Sequence, residues 1–269
     1  MTHGWPGSVV ELLGVVGPLT DPTAYGGAPE DAFHLVLPSL PGYGFSGEPT
    51  DLGWDSGRMA QAWAKLMDRL GCARYVAQGG DVGAAVTDAM GRQGPEGLLG
   101  INVNLLAGAI GLKDQLPAQS EQERTAHDAL ELFMMDGFGY FLEHSTRPQT
   151  IGYSLLDSPV GLAAWMLDHD TDSYHKISRA FVDGGPVGKL TRDTIVDNIT
   201  LYWLTGTGAS SARWYRGVRT VPGRSPGIRS GSSAGNRARG LHDVPRGDLG
   251  CPAQLGRGGL PRRRILQRG

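Results

Sequence analysis

The stretch from residue 75 to residue 91 constrains the fold most, because a strand pattern changes into a helix pattern across one glycine-rich turn. Tyr75–Ala77 is apolar and typical of a short strand, and Val82–Gly91 begins with small residues in a pattern typical of a helix. The turn between them reads Gly-Gly-Asp-Val-Gly, with Asp81 at its centre. A strand-to-helix turn this tight strains its central residue and admits only small neighbours. We therefore predict a nucleophile elbow, in which the Asp81 carboxylate can attack carbon and form an ester.

Two other interpretations of this turn stay open at the level of sequence. Aspartate is a common N-cap residue, so Asp81 could simply begin the helix by accepting hydrogen bonds from its first turn. Glycine-rich turns before helices also occur in nucleotide-binding folds, where backbone N–H groups hold phosphate. The interpretations differ in what the Asp81 side chain contacts.

The rest of the first hundred residues predicts an α/β fold with a parallel sheet. Phe33–Pro38 is expected to form a buried strand, Met59–Leu70 an amphipathic helix and Leu98–Leu106 a further strand. A helix capped by Ser8 is expected near the start of the chain. Parallel sheets bind ligands at the carboxyl ends of their strands, which is where Asp81 would lie.

From about residue 109 to residue 205 the pattern predicts helices without intervening strands. The candidates are Glu121–Met135, Pro159–Asp168 and Thr191–Thr205. A helical layer that follows the nucleophile and a strand is expected to lie over the site as a cap. The alternative is a separate helical domain with no catalytic role.

Composition limits the location and the partners of the chain. Its two cysteines, Cys72 and Cys251, are too few for a disulfide framework, which favours the reducing cytoplasm. It has no run of about 18 apolar residues, so no membrane partner is expected. The first residues lack the basic and apolar regions of a signal peptide.

Five short motifs occur in order between residue 1 and about residue 215. They are His-Gly-Trp-Pro-Gly at 3–7, Leu-Pro-Gly-Tyr-Gly-Phe-Ser at 40–46, Gln-Gly-Gly-Asp-Val-Gly at 78–83, the paired segments 136–140 and 143–148, and Asp-Ser-Pro-Val-Gly-Leu-Ala-Ala-Trp at 157–165. Together they resemble the epoxide hydrolases of the microsomal-type branch of the α/β-hydrolase superfamily.

This resemblance implies a two-step reaction that needs no metal and no organic cofactor. Asp81 would open a small hydrophobic epoxide and form a hydroxyalkyl ester, while Tyr140 and Tyr215 donate protons to the epoxide oxygen. Water would then hydrolyse the ester. The resemblance also implies an oxyanion hole made by the backbone N–H groups of Trp5 and Val82, with the loop around it shaped by His3, Gly4 and Pro6.

The resemblance divides the chain into three parts. Residues 1–108 would form an α/β-hydrolase core that lacks the early strands, residues 109–212 a helical cap, and residues 213–269 a tail. The tail holds 13 Arg, 12 Gly and 5 Pro against two Asp, a formal charge of +11, whereas the preceding 212 residues carry −13. Such a composition predicts disorder. A basic arm for nucleic acid, a spacer and a frameshifted reading frame are the competing interpretations, of which we favour the frameshift.

The water-activating histidine of the resemblance is not identified in this sequence. His242 is the one histidine of the tail, and it has neither a preceding strand nor a Gly-His-Phe context. Because neither a water-activating histidine nor its partner acid is identified, a catalytically inactive fragment or scaffold is one alternative. A haloalkane dehalogenase, which uses the same Asp elbow with halide-binding donors, is another. The sequence predicts neither the epoxide, its stereochemistry nor an oligomeric state.

Overall fold

The computed structural model describes residues 1–105, 117–182, 185 and 190–219. The predictions for His242, for Cys251 and for the chain beyond Arg219 therefore lie outside the described residues. Two strands are present in this part, β1 (Tyr75–Gly79) and β2 (Leu98–Val103). The α-helices are α1 (Val16–Thr20), α2 (Ser56–Arg69), α3 (Val82–Gln93), α4 (Glu121–Leu132), α5 (Gly139–Thr146), α6 (Pro148–Asp157), α7 (Pro159–Leu167), α8 (Thr171–Val182), α9 (Arg192–Thr205) and α10 (Gly208–Arg219).

The two strands form a parallel sheet whose carboxyl ends carry the predicted elbow. β1 pairs with β2 in a register that places Val76 opposite Gly100 and Gly79 opposite Val103. On the other side of β1, Thr2 forms a single parallel bridge with Gly79. Helix α3 packs on both strands and on α2, which gives the α/β layering that the sequence predicted.

The prediction of a strand at Phe33–Pro38 is wrong. These residues carry no strand pairing, although the N-terminal amine of Met1 donates a hydrogen bond of 2.7 Å to the carbonyl oxygen of Val36. A strand requires a continuous ladder with a neighbour, and the bond from Met1 is not continued by Thr2, which pairs with β1 instead. An apolar run in the sequence does not show whether a neighbouring strand is available for pairing.

The first helical segment is a 3₁₀ helix rather than an α-helix. Val9–Val15 forms this 3₁₀ helix, and the Ser8 hydroxyl accepts a hydrogen bond of 3.1 Å from the Val10 N–H, so Ser8 caps it as predicted. The segment continues into α1. Short 3₁₀ helices commonly flank α-helices in this way.

Helices α4 to α10 occupy the segment predicted to form the cap, but several of them begin or end at residues other than those predicted. Helix α4 begins with a capping box, in which the Ser120 hydroxyl accepts from the Glu123 N–H and the Glu123 carboxylate accepts from the Ser120 N–H. It ends at Leu132, where a π-helix at Phe133–Gly137 takes over. No helix in the described residues is long and apolar enough to cross a bilayer.

Helix α10 extends into the segment 213–269, for which composition predicted disorder. It continues to Arg219, seven residues into the segment 213–269 that composition assigned to a tail. The reason is packing, because α10 lies against α5 and α6 and buries Ala212 and Tyr215 on one face. The inward spacing of these two residues outweighs the arginine and glycine content around them.

The cap is fixed to the two loops that follow His3 and Leu40. Tyr202 donates a hydrogen bond of 2.6 Å to the carbonyl oxygen of Gly7, and Asn198 donates one of 2.8 Å to that of Pro6. Tyr43 donates in turn to the carbonyl oxygen of Ser211 in α10, at 3.1 Å. Because these side chains belong to one buried cluster, the cap and the sheet share a single core.

Candidate active site

Asp81 occupies the turn between β1 and α3 in a strained backbone conformation. Its φ is +52° and its ψ is −121°, and it is the one non-glycine residue of positive φ in the described part of the chain. A non-glycine residue in such a region costs about 1–3 kcal/mol and persists where the surroundings enforce it. This is the conformation expected of a nucleophile elbow.

Two glycines of the elbow leave no room for a side chain. A Cβ at Gly79 would overlap the backbone of Gly83, and a Cβ at Gly83 would overlap the backbone of Thr2 and His3. Gly80, between them, is open, because the nearest atom to a Cβ there is Asn104 Nδ2 at 3.8 Å. The need for small neighbours therefore falls on Gly79 and Gly83.

The Asp81 side chain does not cap α3, which rules out the helix-start interpretation. It makes no capping hydrogen bond, and Oδ1 instead accepts a hydrogen bond of 2.8 Å from the backbone N–H of Trp5. The N–H of Val82 is a second backbone donor to the carboxylate. The carboxylate thus lies between the two N–H groups predicted to form an oxyanion hole.

Burial and hydrogen bonding act on the charge of Asp81 in opposite directions. Burial raises the pKa of Asp81 above its ordinary value, because a charged carboxylate loses hydration there. The N–H groups of Trp5 and Val82 and the facing His169 oppose this rise. The pKa of Asp81 stays raised, so the effect of burial outweighs these three groups.

The loop before Trp5 is held in shape by His3 and Gly4. The His3 ring bonds to the Gly4 carbonyl oxygen through Nδ1 at 3.0 Å and accepts from the Leu40 N–H through Nε2 at 3.1 Å. Burial lowers the pKa of His3 to about 4, partly offset by its bond to Gly4, so the ring is neutral at pH 7. A side chain at Gly4 would overlap Asp81. Pro6 follows Trp5 through a cis peptide bond.

An aromatic cluster covers Asp81 on the cap side. Tyr140 stacks on Trp5 with ring centroids 5.4 Å apart, and Tyr215 meets Tyr140 edge-on at 5.8 Å. Both tyrosines are buried, with 8% and 2% of their surface exposed. The structure therefore brings both predicted proton donors to the predicted nucleophile, although they are separated from it in sequence by 59 residues or more.

Both tyrosines keep their protons at neutral pH. Burial raises the pKa of Tyr140 and of Tyr215 well above the ordinary value, and the Asp81 charge raises both further. The Tyr215 hydroxyl is shielded from solvent. Its interaction with the Tyr140 hydroxyl partly offsets the rise in the Tyr140 pKa.

Sequence reasoning missed two histidines of this cluster, His144 and His169. The His169 ring lies 4.0 Å from the Tyr140 ring, and its Nδ1 is 2.7 Å from Asp170 Oδ2. His144 lies 4.7 Å from the Trp5 ring and accepts a hydrogen bond of 2.8 Å from Trp165 Nε1. The available signal for His169 was its place between two acids, in Asp-His-Asp at 168–170.

A small apolar cavity lies behind the Trp5 loop. It has a volume of about 170 Å³ and is lined mainly by apolar side chains from that loop and from α7, α8 and α9, with Glu11, Thr194 and Asn198 as its polar members. Asp81 is not among its lining residues. In the described part of the chain, no group of three or more His, Cys, Asp and Glu side chains is placed to hold a metal ion.

The chain is similar to named epoxide hydrolases in both sequence and structure. A Stigmatella aurantiaca protein named as an epoxide hydrolase is 51% identical over 219 residues, which cover 80% of this chain and 47% of that one. Epoxide hydrolase 1 of Oryctolagus cuniculus is 34% identical over 233 residues, covering 80% and 50%. The chain spans about half the length of these relatives.

A solved structure agrees with these sequence relatives. The Aspergillus niger epoxide hydrolase superimposes with a TM-score of 0.64 at 34% identity, over 82% of this chain and 54% of that one. No protein-family model matches the sequence. The relatives and the shared fold show that the chain belongs to the epoxide hydrolases, in the microsomal-type branch of the α/β-hydrolase superfamily.

Proposed function

We propose that this chain carries the epoxide-opening site of its family, with Asp81 as the nucleophile. The observation that supports this most is the combination of a strained, buried carboxylate with two protonated tyrosines above it. Backbone strain and a buried carboxylate rarely coincide unless a site uses them.

The hydrogen bond to Trp5 assigns different tasks to the two carboxylate oxygens. Oδ1 is held by the Trp5 N–H at 2.8 Å, so Oδ2 is the oxygen free to attack an epoxide carbon. Attack forms the Oδ2–carbon bond and breaks the carbon–oxygen bond of the strained ring. Oδ1 then becomes the ester carbonyl oxygen, and it already accepts from the Trp5 N–H, which would stabilise an oxyanion there.

Tyr140 and Tyr215 supply the proton that ring opening requires. An alkoxide is a poor leaving group, and a hydroxyl aimed at the oxygen stabilises the charge as it develops. Their raised pKa values mean that the O–H form, the only form able to donate, is the one present at pH 7. A halide-releasing reaction would not need these hydroxyls, which favours the epoxide over the haloalkane.

The partners that follow from this chemistry are a small hydrophobic epoxide and water. The aromatic rings of Trp5, Tyr140 and Tyr215 beside Asp81 support an apolar substrate. No step of the ring opening needs a metal or an organic cofactor. We also propose a cytoplasmic location and an oxyanion hole formed by the backbone N–H groups of Trp5 and Val82.

Intact-mass spectrometry with excess styrene oxide tests the proposal. We expect a covalent adduct of one substrate mass, or diol formed through it, in the wild type. Asp81→Asn, which keeps the shape of the side chain and removes its negative charge, should give neither product. The same incubation with a bromoalkane should give no adduct. Equal labelling of wild type and Asp81→Asn, or faster reaction with the bromoalkane, contradicts the proposal.

A further inference from the structure

We propose that Glu11 is a positioning residue for the nucleophile, because its carboxyl group holds the loop that presents the Trp5 N–H to Asp81. This rests on the proposed function, since it concerns the same ring-opening site. Glu11 lies outside the five sequence motifs, in the first turn of the 3₁₀ helix Val9–Val15.

The sequence around Glu11 suggests an ordinary structural role, which the structure does not bear out. Ser8-Val-Val-Glu11 has the spacing of a capping box, in which the glutamate accepts from the N–H of the N-cap residue. Such a bond is present in α4, between Glu123 and Ser120. At the 3₁₀ helix the Ser8 hydroxyl forms the cap, whereas the Glu11 carboxylate reaches further back and accepts from the N–H of Gly4.

The bond to Gly4 matters because a glycine leaves its two flanking peptide planes unusually free to rotate. Gly4 cannot be replaced by a stiffer residue, since a Cβ there would overlap Asp81. His3 holds one of the two planes by its bond of 3.0 Å to the Gly4 carbonyl oxygen. That plane carries the Trp5 N–H, which donates to Asp81 at 2.8 Å. Glu11 holds the other plane through the Gly4 N–H, so both planes are fixed.

The same carboxyl group braces the far end of the loop. A Cβ on Gly7 would fall on the Glu11 carboxylate, so this group lies directly against the glycine. The Gly7 carbonyl oxygen accepts from the Tyr202 hydroxyl at 2.6 Å, and the Pro6 carbonyl oxygen accepts from Asn198 at 2.8 Å. The loop is therefore held both by α9 and by Glu11.

The charge of Glu11 is coupled to the charge of the nucleophile. Glu11 as a whole is exposed, but loss of hydration around its carboxyl group raises its pKa, and the Asp81 charge raises it further, to about 7, against the lowering effect of the Gly4 N–H. Repulsion between two carboxylates is mutual, so an ionised Glu11 makes Asp81 harder to ionise. Tyr202 of α9 is a further titratable group that interacts with Glu11. The adjoining α1 has no titratable side chain, and α7 and α8 contribute only apolar side chains to the cavity beside Glu11.

The two effects of Glu11 have different signatures in the ring-opening step. The bond to Gly4 keeps the Trp5 N–H on Oδ1 of Asp81, so losing it slows attack by Oδ2 at every pH. The charge of Glu11 instead changes the pH at which Asp81 loses its proton and becomes a nucleophile.

Single-turnover consumption of styrene oxide, followed from about pH 5 to about pH 9, measures both effects. Glu11→Ala removes the carboxyl group and should lower the plateau rate about 10–100-fold, because the nucleophile is no longer oriented. Glu11→Gln keeps an acceptor for the Gly4 N–H, so its plateau should stay within about threefold of wild type. The midpoint of its acidic limb should shift to lower pH by roughly half a unit or more, because a neighbouring negative charge is gone. Glu30→Gln, on an exposed residue of the 3₁₀ helix Pro29–Asp31, should match wild type in both respects.

The possible outcomes separate this role from the proposed function. A Glu11→Ala plateau equal to that of wild type overturns the positioning role and leaves Asp81 alkylation standing. Equal plateau losses in both Glu11 variants with unshifted midpoints also overturn it, because that result indicates a packing role. If Glu11→Ala does not fold, Glu11→Gln decides alone, and an unshifted midpoint overturns the proposal. Absence of styrene oxide consumption by the wild type overturns the proposed function and this role with it.

Discussion

Replacing Gly83 with alanine adds one carbon to the elbow at a place where only backbone surrounds it. The new Cβ would lie 2.6 Å from the Thr2 carbonyl carbon and 2.7 Å from the His3 carbonyl oxygen. Ordinary contact begins at 3.4 Å, and the Thr2 carbonyl oxygen lies closer still than the Thr2 carbonyl carbon at 2.6 Å, so the backbone of Thr2 must move by more than about 0.8 Å. A flexible side chain can yield by rotation, but a main chain has to be displaced.

The cost of that displacement follows from the hydrogen bonds that hold Thr2. Its N–H donates to Gln78 at 2.8 Å, and its carbonyl oxygen accepts from the Gly80 N–H at 3.3 Å. Losing two such bonds costs about 1 kcal/mol each, and overpacking adds about 1–3 kcal/mol. We therefore expect Gly83→Ala to lower the free energy of unfolding by about 3–5 kcal/mol.

Gly80→Ala is the matched control in the same turn, since a Cβ there meets nothing closer than 3.8 Å. It should change the free energy of unfolding by less than about 1 kcal/mol, as expected where no close contact is made. Urea unfolding followed by tryptophan fluorescence measures both variants. Equal stability of Gly83→Ala and wild type, or equal damage from the two substitutions, would refute the reasoning about the elbow.

Three further predictions concern charge and capping. Burial raises the pKa of Asp81, so folding favours the neutral form of this side chain. Asp81→Asn should therefore be more stable than wild type at pH 7. Urea titrations should show this gain shrinking as the pH falls. Burial lowers the pKa of His3 from 6.5 to about 4. The free energy of unfolding should therefore fall as the pH drops from 6.5 towards 4, by about 3 kcal/mol at 1.36 kcal/mol per pKa unit. A His3→Asn variant should show a shallower loss. Ser120→Ala should cost about 1 kcal/mol by removing the cap of α4, measured by thermal unfolding; an unchanged midpoint contradicts that role.

Local features of the fold could be predicted from the sequence because they depend on neighbouring residues. The elbow at Asp81 needs a strand, small residues and a helix in succession, and all three are visible in one short stretch. The strand expected at Phe33–Pro38 failed because pairing depends on a partner elsewhere in the chain. The helical structure of residues 213–219 was not predicted because composition does not show which face of a helix is buried.

The residues of the candidate site differ in the same way, because some were recognisable from local sequence and others were not. Trp5, Asp81 and the two tyrosines were found through motifs, and the structure brings them together. His169 was missed because its significance comes from contacts with Tyr140 and Trp5, which lie 29 and 164 residues earlier in the sequence. A histidine between two acids is an ordinary surface pattern until its neighbours are known.

The bonds between the cap and the Trp5 loop imply an order of folding. The side chains that hold this loop, Asn198 and Tyr202, follow it in the chain by 192 and 195 residues. Contacts this distant form after local structure, because closing the long intervening chain costs entropy first. During synthesis the strand-to-helix turn can therefore form while the Trp5 loop is still unsupported. On the proposed function, Asp81 would become able to react only after α9 has docked.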